Sequence, residues 1–205
     1  MGARWGRMRR HSGKFLVIVA ALGSAMFVMI GPASAGPTID EIAPPLPMIT
    51  PTPTDWVPKF PFPYDQTRGS VTDAEITAER EMCQWFNAQY DTLMTQIDRF
   101  NVTVVADNGD YNVGGNQQLA DAVTANVDQS VDFLTPRAQA MSTTQDFAGD
   151  TYFPLYQGES FYQLWQYLIN VSNGIKAHQP VWFYGPSVQR ALKWGSRINR
   201  SHVCR

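Results

Sequence analysis

Histidine and cysteine are scarce in this chain of 205 residues, with three of the first and two of the second. No His-Glu-x-x-His pair, Walker phosphate loop or dinucleotide Gly-x-Gly-x-x-Gly is present, so the familiar zinc-protease and nucleotide sites have no anchor. No Cys-x-x-Cys marks a redox or metal site, and no nucleophile elbow marks a serine hydrolase. Acids are missing from both ends: none precedes Asp40 and none follows Glu159. The net charge of −2 offers no basic domain for nucleic acid. Charged residues make up only 17%, but 44% hydrophobic and 12% aromatic residues exclude a wholly disordered, collagenous or polytopic membrane chain.

What is present begins with an address. Arg4, Arg7, Arg9, Arg10 and Lys14 precede an apolar run from Phe15 to Ile30, and Ala33-Ser34-Ala35 then fits the small-x-small cleavage rule. Residues 1–35 therefore read as a signal peptide cut after Ala35. The run is shorter than the ~20 residues of a spanning helix, although an uncleaved N-terminal anchor is the competing reading. Cleavage leaves 11 basic and 18 acidic residues, a net −7. The charges are segregated: from Ser160 onward there are six bases and no acids. A solvated dipole accounts for this, and so does peripheral contact of a basic C-terminal helix with acidic lipid headgroups or an acidic partner.

Nine of the 14 prolines fall between Gly36 and Pro63. Proline lacks the amide donor and fixes φ, so residues 36–69 are expected to form an extended Pro/Thr-rich tether. Its Thr50–Thr54 run resembles stretches that are O-glycosylated in exported proteins. Trp56, Val57, Phe60, Phe62 and Tyr64 are too apolar for a free linker; they either lie on the folded domain or form a recognition segment.

Residues 70–205 are expected to fold as an all-α, up-down bundle of about four helices. A capping box, Thr72-Asp73-Ala74-Glu75, opens the first. Cys83, Phe86, Tyr90, Leu93, Ile97 and Phe100 then repeat at 3-4-3-4-3 spacing, which predicts a helix over Thr72 to Phe100. Val102-Thr103-Val104-Val105 followed by Asn108-Gly109 predicts a short β-hairpin over 102–113. Asn116 is expected to cap a second helix, whose apolar stripe runs from Ala120 to Met141. Pro136 falls inside that stripe, either kinking it or starting a new helix capped by Thr135. Phe147 to Gly158 reads as an aromatic loop. A third helix is expected from Ser160 to Asn173, stopped by Asn173-Gly174. Pro180 and Pro186 bracket an aromatic connector, and the last helix is expected from Ser187, with Val188, Ala191, Leu192, Gly195, Ile198 and His202 on its inner face.

In an antiparallel bundle the start of the first helix and the end of the last share a pole. Cys83 and Cys204 sit at those places, in an exported chain, so a Cys83–Cys204 disulfide is expected, worth roughly 2–5 kcal/mol. His178, before a proline in a loop, and His202, on the inner stripe, read as structural or solvated. Asp110, Asn112 and Asp121 occupy the first, third and last positions of a calcium-like twelve-residue loop. With glycine at its fifth position and no bidentate Glu, it reads as an ordinary turn, and no metal or cofactor is expected. Eleven of the 25 aromatic residues lie between 152 and 194. Tyr152, Phe153 and Tyr156 in one connector, and Trp182, Phe183 and Tyr184 in the other, form either a structural lid or a candidate recognition surface.

The Arg-rich signal ending Ala33-Ser34-Ala35, the Pro/Thr tether and the two-cysteine helical domain together resemble small exported proteins of mycobacteria and related actinobacteria. The resemblance is one of organisation and carries no activity or site. The expected function is non-enzymatic: an exported or envelope-located helical protein that binds a cell-envelope component or a protein partner. A secreted carrier of a lipid or other apolar ligand is the second reading, and a hydrolase with an unrecognised site the third.

Overall fold

The computed structural model describes residues 38–60, 68–141, 144–145, 151–179 and 181–205, and for Asp40, 144–145, 151–152 and 181–184 the backbone alone. Residues 1–35, expected from the sequence to be a signal peptide, lie outside these residues. A single helical turn, α1 (Ile39–Ile42), precedes an extended stretch. Four long rods follow. The first is continuous and has three parts: α2 (Asp73–Trp85), a π-helical turn (Phe86–Tyr90) and α3 (Asp91–Ala106). The others are α4 (Asn116–Ala140), α5 (Gly158–Lys176) and α6 (Val181–Ser201). Between α4 and α5, β1 (Thr144–Gln145) pairs antiparallel with β2 (Thr151–Tyr152).

Side-chain contacts set the directions of the rods. Glu81, Gln96 and Asp107 on the first rod and its C-terminal turn meet Arg137, Asn126 and Asn116 respectively, so α4 runs back along it. Trp165 meets Thr135, and Ser172 meets Asp128, so α5 opposes α4. Tyr90 contacts Ala191 while Cys83 is bonded to Cys204, so α6 opposes the first rod. The fold is an all-helical up-down bundle. Trp85, Phe100, Phe161, Leu93, Leu164 and Leu168 fill its centre, none more than 1% exposed.

The capping box forms as the spacing predicts: the Glu75 amide donates to Thr72 Oγ1 at 3.3 Å, and the Thr72 amide to Glu75 Oε2 at 2.7 Å. The hairpin does not form. Residues 102–106 continue α3, because Val104 extends the Ile97–Phe100 face into the core. Asn108 and Gly109, at φ 55° and 81°, close that helix instead. Their amides donate to the carbonyls of Val105 and Val104 at 3.1 and 2.8 Å, the Schellman pattern. The Asn116 side chain does not cap α4; it donates to Asp107 Oδ2 and the Asp110 carbonyl at 2.8 and 2.7 Å. Gly115, at φ 80°, precedes α4. Pro136 starts no new helix. It lies inside α4, where the Asp132 carbonyl loses its amide partner, and Thr135 Oγ1 donates back to the Val131 carbonyl at 2.7 Å.

Asn173-Gly174 does not stop α5, since Gly174 is buried within it. The helix closes at His178, φ 50°, with the amides of His178 and Gln179 donating to Ile175 and Gly174 at 2.9 and 3.1 Å. α6 begins at Val181 rather than Ser187. Pro186 falls in its second turn, where it removes one hydrogen bond without ending the helix. Its buried face is Val188, Ala191, Trp194, Gly195 and Ile198. Trp194 rotates that face away from Leu192, which is 40% exposed, and His202 is exposed past the helix end.

The proline-rich stretch is extended and lies on the bundle as a strap. Ala43 and Leu46 enter the core. The Leu46 amide donates to Asn126 Oδ1 at 3.0 Å, and Gln96 and Asn126 both donate to the Pro44 carbonyl at 2.9 Å. Gln129 donates to the Leu46 carbonyl at 3.1 Å, and Gln89, from the π turn, to that of Pro47. Gln84 exchanges two hydrogen bonds with the backbone of Thr52. Farther on, Trp56 Nε1 donates to the Val203 carbonyl at 2.7 Å, and Lys59 Nζ to that of His202 at 3.0 Å.

Candidate functional site

Cys83 and Cys204 are bonded, with Cα atoms 5.0 Å apart, at the pole the antiparallel topology gives them. The bond is compatible with an oxidising compartment. Among the described residues, no helix is long and apolar enough to cross a membrane.

The chemical candidates do not converge. His178 stacks on Tyr111 with ring centroids 4.3 Å apart, at the C-terminal end of α5. His202 stands at the opposite end of α6, next to the disulfide. Asp110 Oδ1 accepts from both nitrogens of Asn112, an Asx turn, while Asp121 accepts from Gln117 one turn away on α4. Among the described residues, no group of three His, Cys, Asp or Glu side chains stands where it could hold a metal. One carboxyl is unusual. Glu79 is fully buried on α2, neither oxygen has a hydrogen-bond partner among the described residues, and desolvation pushes its pKa well above the ordinary carboxyl value.

The aromatic candidates divide. Phe153 and Tyr156 are half-buried. The Phe153 ring packs on Tyr162 at 5.2 Å, Tyr162 on Trp165 at 5.3 Å, and the Tyr156 amide donates to the Lys59 carbonyl at 2.8 Å. This connector is a lid joined to the strap. The side chains of Tyr152, Trp182, Phe183 and Tyr184 lie outside the described residues. The backbone of the last three is the first turn of α6, not a loop.

The strongest surface feature is on α6. Arg190, Lys193, Arg197 and Arg200 recur at 3-4-3 spacing, so at about 100° per residue they occupy an arc of about 80°. All four are exposed. Among the described residues, none has an acidic partner; the ion pairs are Arg137–Glu81 and Lys176–Asp128, both outside the arc. Aromatic rings border it. The guanidinium of Arg190 stands 5.9 Å from the centroid of Tyr167, and Arg197 and Lys193 stand 4.7 and 5.1 Å from that of Trp194. These contacts orient the cations without neutralising them. No family model matches the chain, and comparison with curated proteins and with solved structures likewise finds no match.

The basic end is visible in the sequence; Trp194 counts there among the aromatics of 152–194 but not on the inner stripe of the last helix, although a helical wheel puts it between that stripe and the cations. The sequence reading missed the amides that hold the strap. Gln89, Gln96 and Asn126 sit beside apolar core positions at helical spacing, which is the signal of buried polar groups needing partners.

Proposed function

We propose that this chain is an exported, non-enzymatic, disulfide-stapled helical protein that docks on the anionic lipid headgroups of the cell envelope through the outer face of α6. The observation that carries this is the arc of four exposed cations, none of them paired with an acid among the described residues. The Tyr167 ring, half-buried at its border beside Arg190, suits a membrane–water boundary, where an amphipathic ring has one apolar and one wet side. The filled centre of the bundle favours recognition on the surface over carriage inside. The basic, apolar and Ala-Ser-Ala series of residues 4–35 supports export, and the disulfide supports an oxidising destination.

The test mixes protein recovered from outside the cytoplasm, its N-terminus expected at Gly36, with sedimentable vesicles. Binding is expected on phosphatidylglycerol-containing vesicles and not on pure phosphatidylcholine, and should weaken with salt. Each cation near an anionic surface contributes about 1 kcal/mol, so replacing all four with Gln should weaken binding roughly 10²- to 10³-fold. Equal binding to both vesicle types, or an unaffected variant, overturns the proposal.

A further inference from the structure

The strap is not held as the helices hold one another. From Pro44 to Thr52, every polar contact it makes among the described residues comes from an amide side chain of the bundle: Gln84, Gln89, Gln96, Asn126 or Gln129. Gln89 and Gln96 are 2% exposed and Asn126 is 4% exposed. Burying uncharged amides is costly unless they find partners, and their partners here are main-chain groups of the strap. The chemistry matches proline. A proline-rich chain lacks many N–H donors but keeps its carbonyls free, so a receptor for it needs donors. Six amide-to-carbonyl bonds on Pro44, Leu46, Pro47 and Thr52 supply them, and two amide oxygens accept, Asn126 Oδ1 from the Leu46 N–H and Gln84 Oε1 from the Thr52 N–H. Side-chain burial is complete at Ala43 and Leu46 and partial at Ile49, which packs against the core, while Pro44, Pro45, Pro47 and Met48 face solvent.

We propose that this amide-lined groove, between the first rod and α4, is a receptor site for proline-rich extended segments. It recognises the main chain plus one apolar anchor flanked by prolines, here Pro45-Leu46-Pro47. The strap is its ligand in cis, and a segment of the same chemistry on a partner protein is its ligand in trans. From Pro44 to Pro58 the strap makes no main-chain-to-main-chain hydrogen bond among the described residues, so it can lift without breaking any helix ladder. This proposal is independent of the basic face of α6.

Full-length protein carrying Leu46→Asp places a charge in the strap's apolar seat and frees the groove. It should keep its helical circular dichroism and bind a fluorescent peptide of residues 41–54 at least about tenfold more tightly than wild type, whose tethered strap competes at high effective concentration. Adding Asn126→Leu should abolish that binding. A folded Leu46→Asp protein that binds the peptide no better than wild type overturns the proposal. Should Leu46→Asp unfold the bundle, hydrogen exchange of the wild type decides. Exchange of the Leu46 and Thr52 amides through an opening that leaves the Phe100 and Val127 amides protected supports a detachable strap. Exchange of all four at the global unfolding rate overturns it. Concentration-dependent dimers of wild type that exchange straps would make the occupant a second copy, and the partner claim falls.

Discussion

Glu79 shows what one residue does to the energetics of this bundle. Its carboxyl is fully buried with no hydrogen-bond partner among the described residues, and desolvation raises its pKa in the folded state. In the unfolded chain it titrates near the ordinary value of about 4.3. Below that pH both states carry the proton and the group costs nothing extra. As pH rises above it, the unfolded state ionises first, so the folded state loses stability until its own raised pKa is passed. Glu79→Gln removes the titration. Its melting temperature should exceed that of wild type at pH 7, and the gap should close by about pH 4. A gap independent of pH would contradict this reading. The periodicity of α2 already places Glu79 on the buried face, four residues before Cys83; its acidic side chain is what kept it out of the apolar stripe. Cys83 and Cys204 were legible for the opposite reason: with two cysteines there is only one possible intrachain pair.

At the scale of elements, helical periodicity was the dependable signal and turn chemistry the misleading one. The stripe from Cys83 to Phe100 is the buried face of the first rod, and Val104 continues it by the same spacing. The Val-rich tail and Asn108-Gly109 suggested a hairpin, yet positive φ at Asn-Gly serves a helix C-cap as well as a hairpin turn. Pro186 was read as a boundary, but a proline in the second turn of a helix sacrifices only one hydrogen bond. Where elements touch, the fit is close. A Cβ on Gly195 of α6 would stand 2.0 Å from Tyr90 Oη of the π turn, and this buried hydroxyl has its pKa pushed up to about 12, first by desolvation and then by Asp91. Gly195→Ala should therefore cost about 1–3 kcal/mol or more in urea denaturation. Tyr90→Ala should absorb most of that cost, so that the double variant is far less destabilised than the two single effects added together. Additive effects would show that the two elements do not meet there.

Among the described residues, the chain from residue 38 onward is a four-rod bundle closed at one pole by a disulfide spanning 121 residues of sequence, and along one side by a strap. Bundle and staple could be read from periodicity, cysteine count and topology together. The strap's docking could not, because proline content predicts extension but says nothing about what the extended chain lies against. The basic face was visible as charge segregation and its arc follows from the helical spacing, while the absence of acid partners among the described residues and the ring contacts required the packing of α6. The central claim, that this face meets an anionic surface, can be read at a single amine. After Gly36 the lysines are Lys59, Lys176 and Lys193. Only Lys193 lies in the arc; Lys176 is paired with Asp128 at 2.8 Å, and Lys59 donates to the His202 carbonyl. Acetylation rates of the three amines should be measured by mass spectrometry with and without phosphatidylglycerol vesicles. The account predicts that vesicles slow modification of Lys193 several-fold and leave Lys176 unchanged. Equal protection of the two, or none at Lys193, would contradict it.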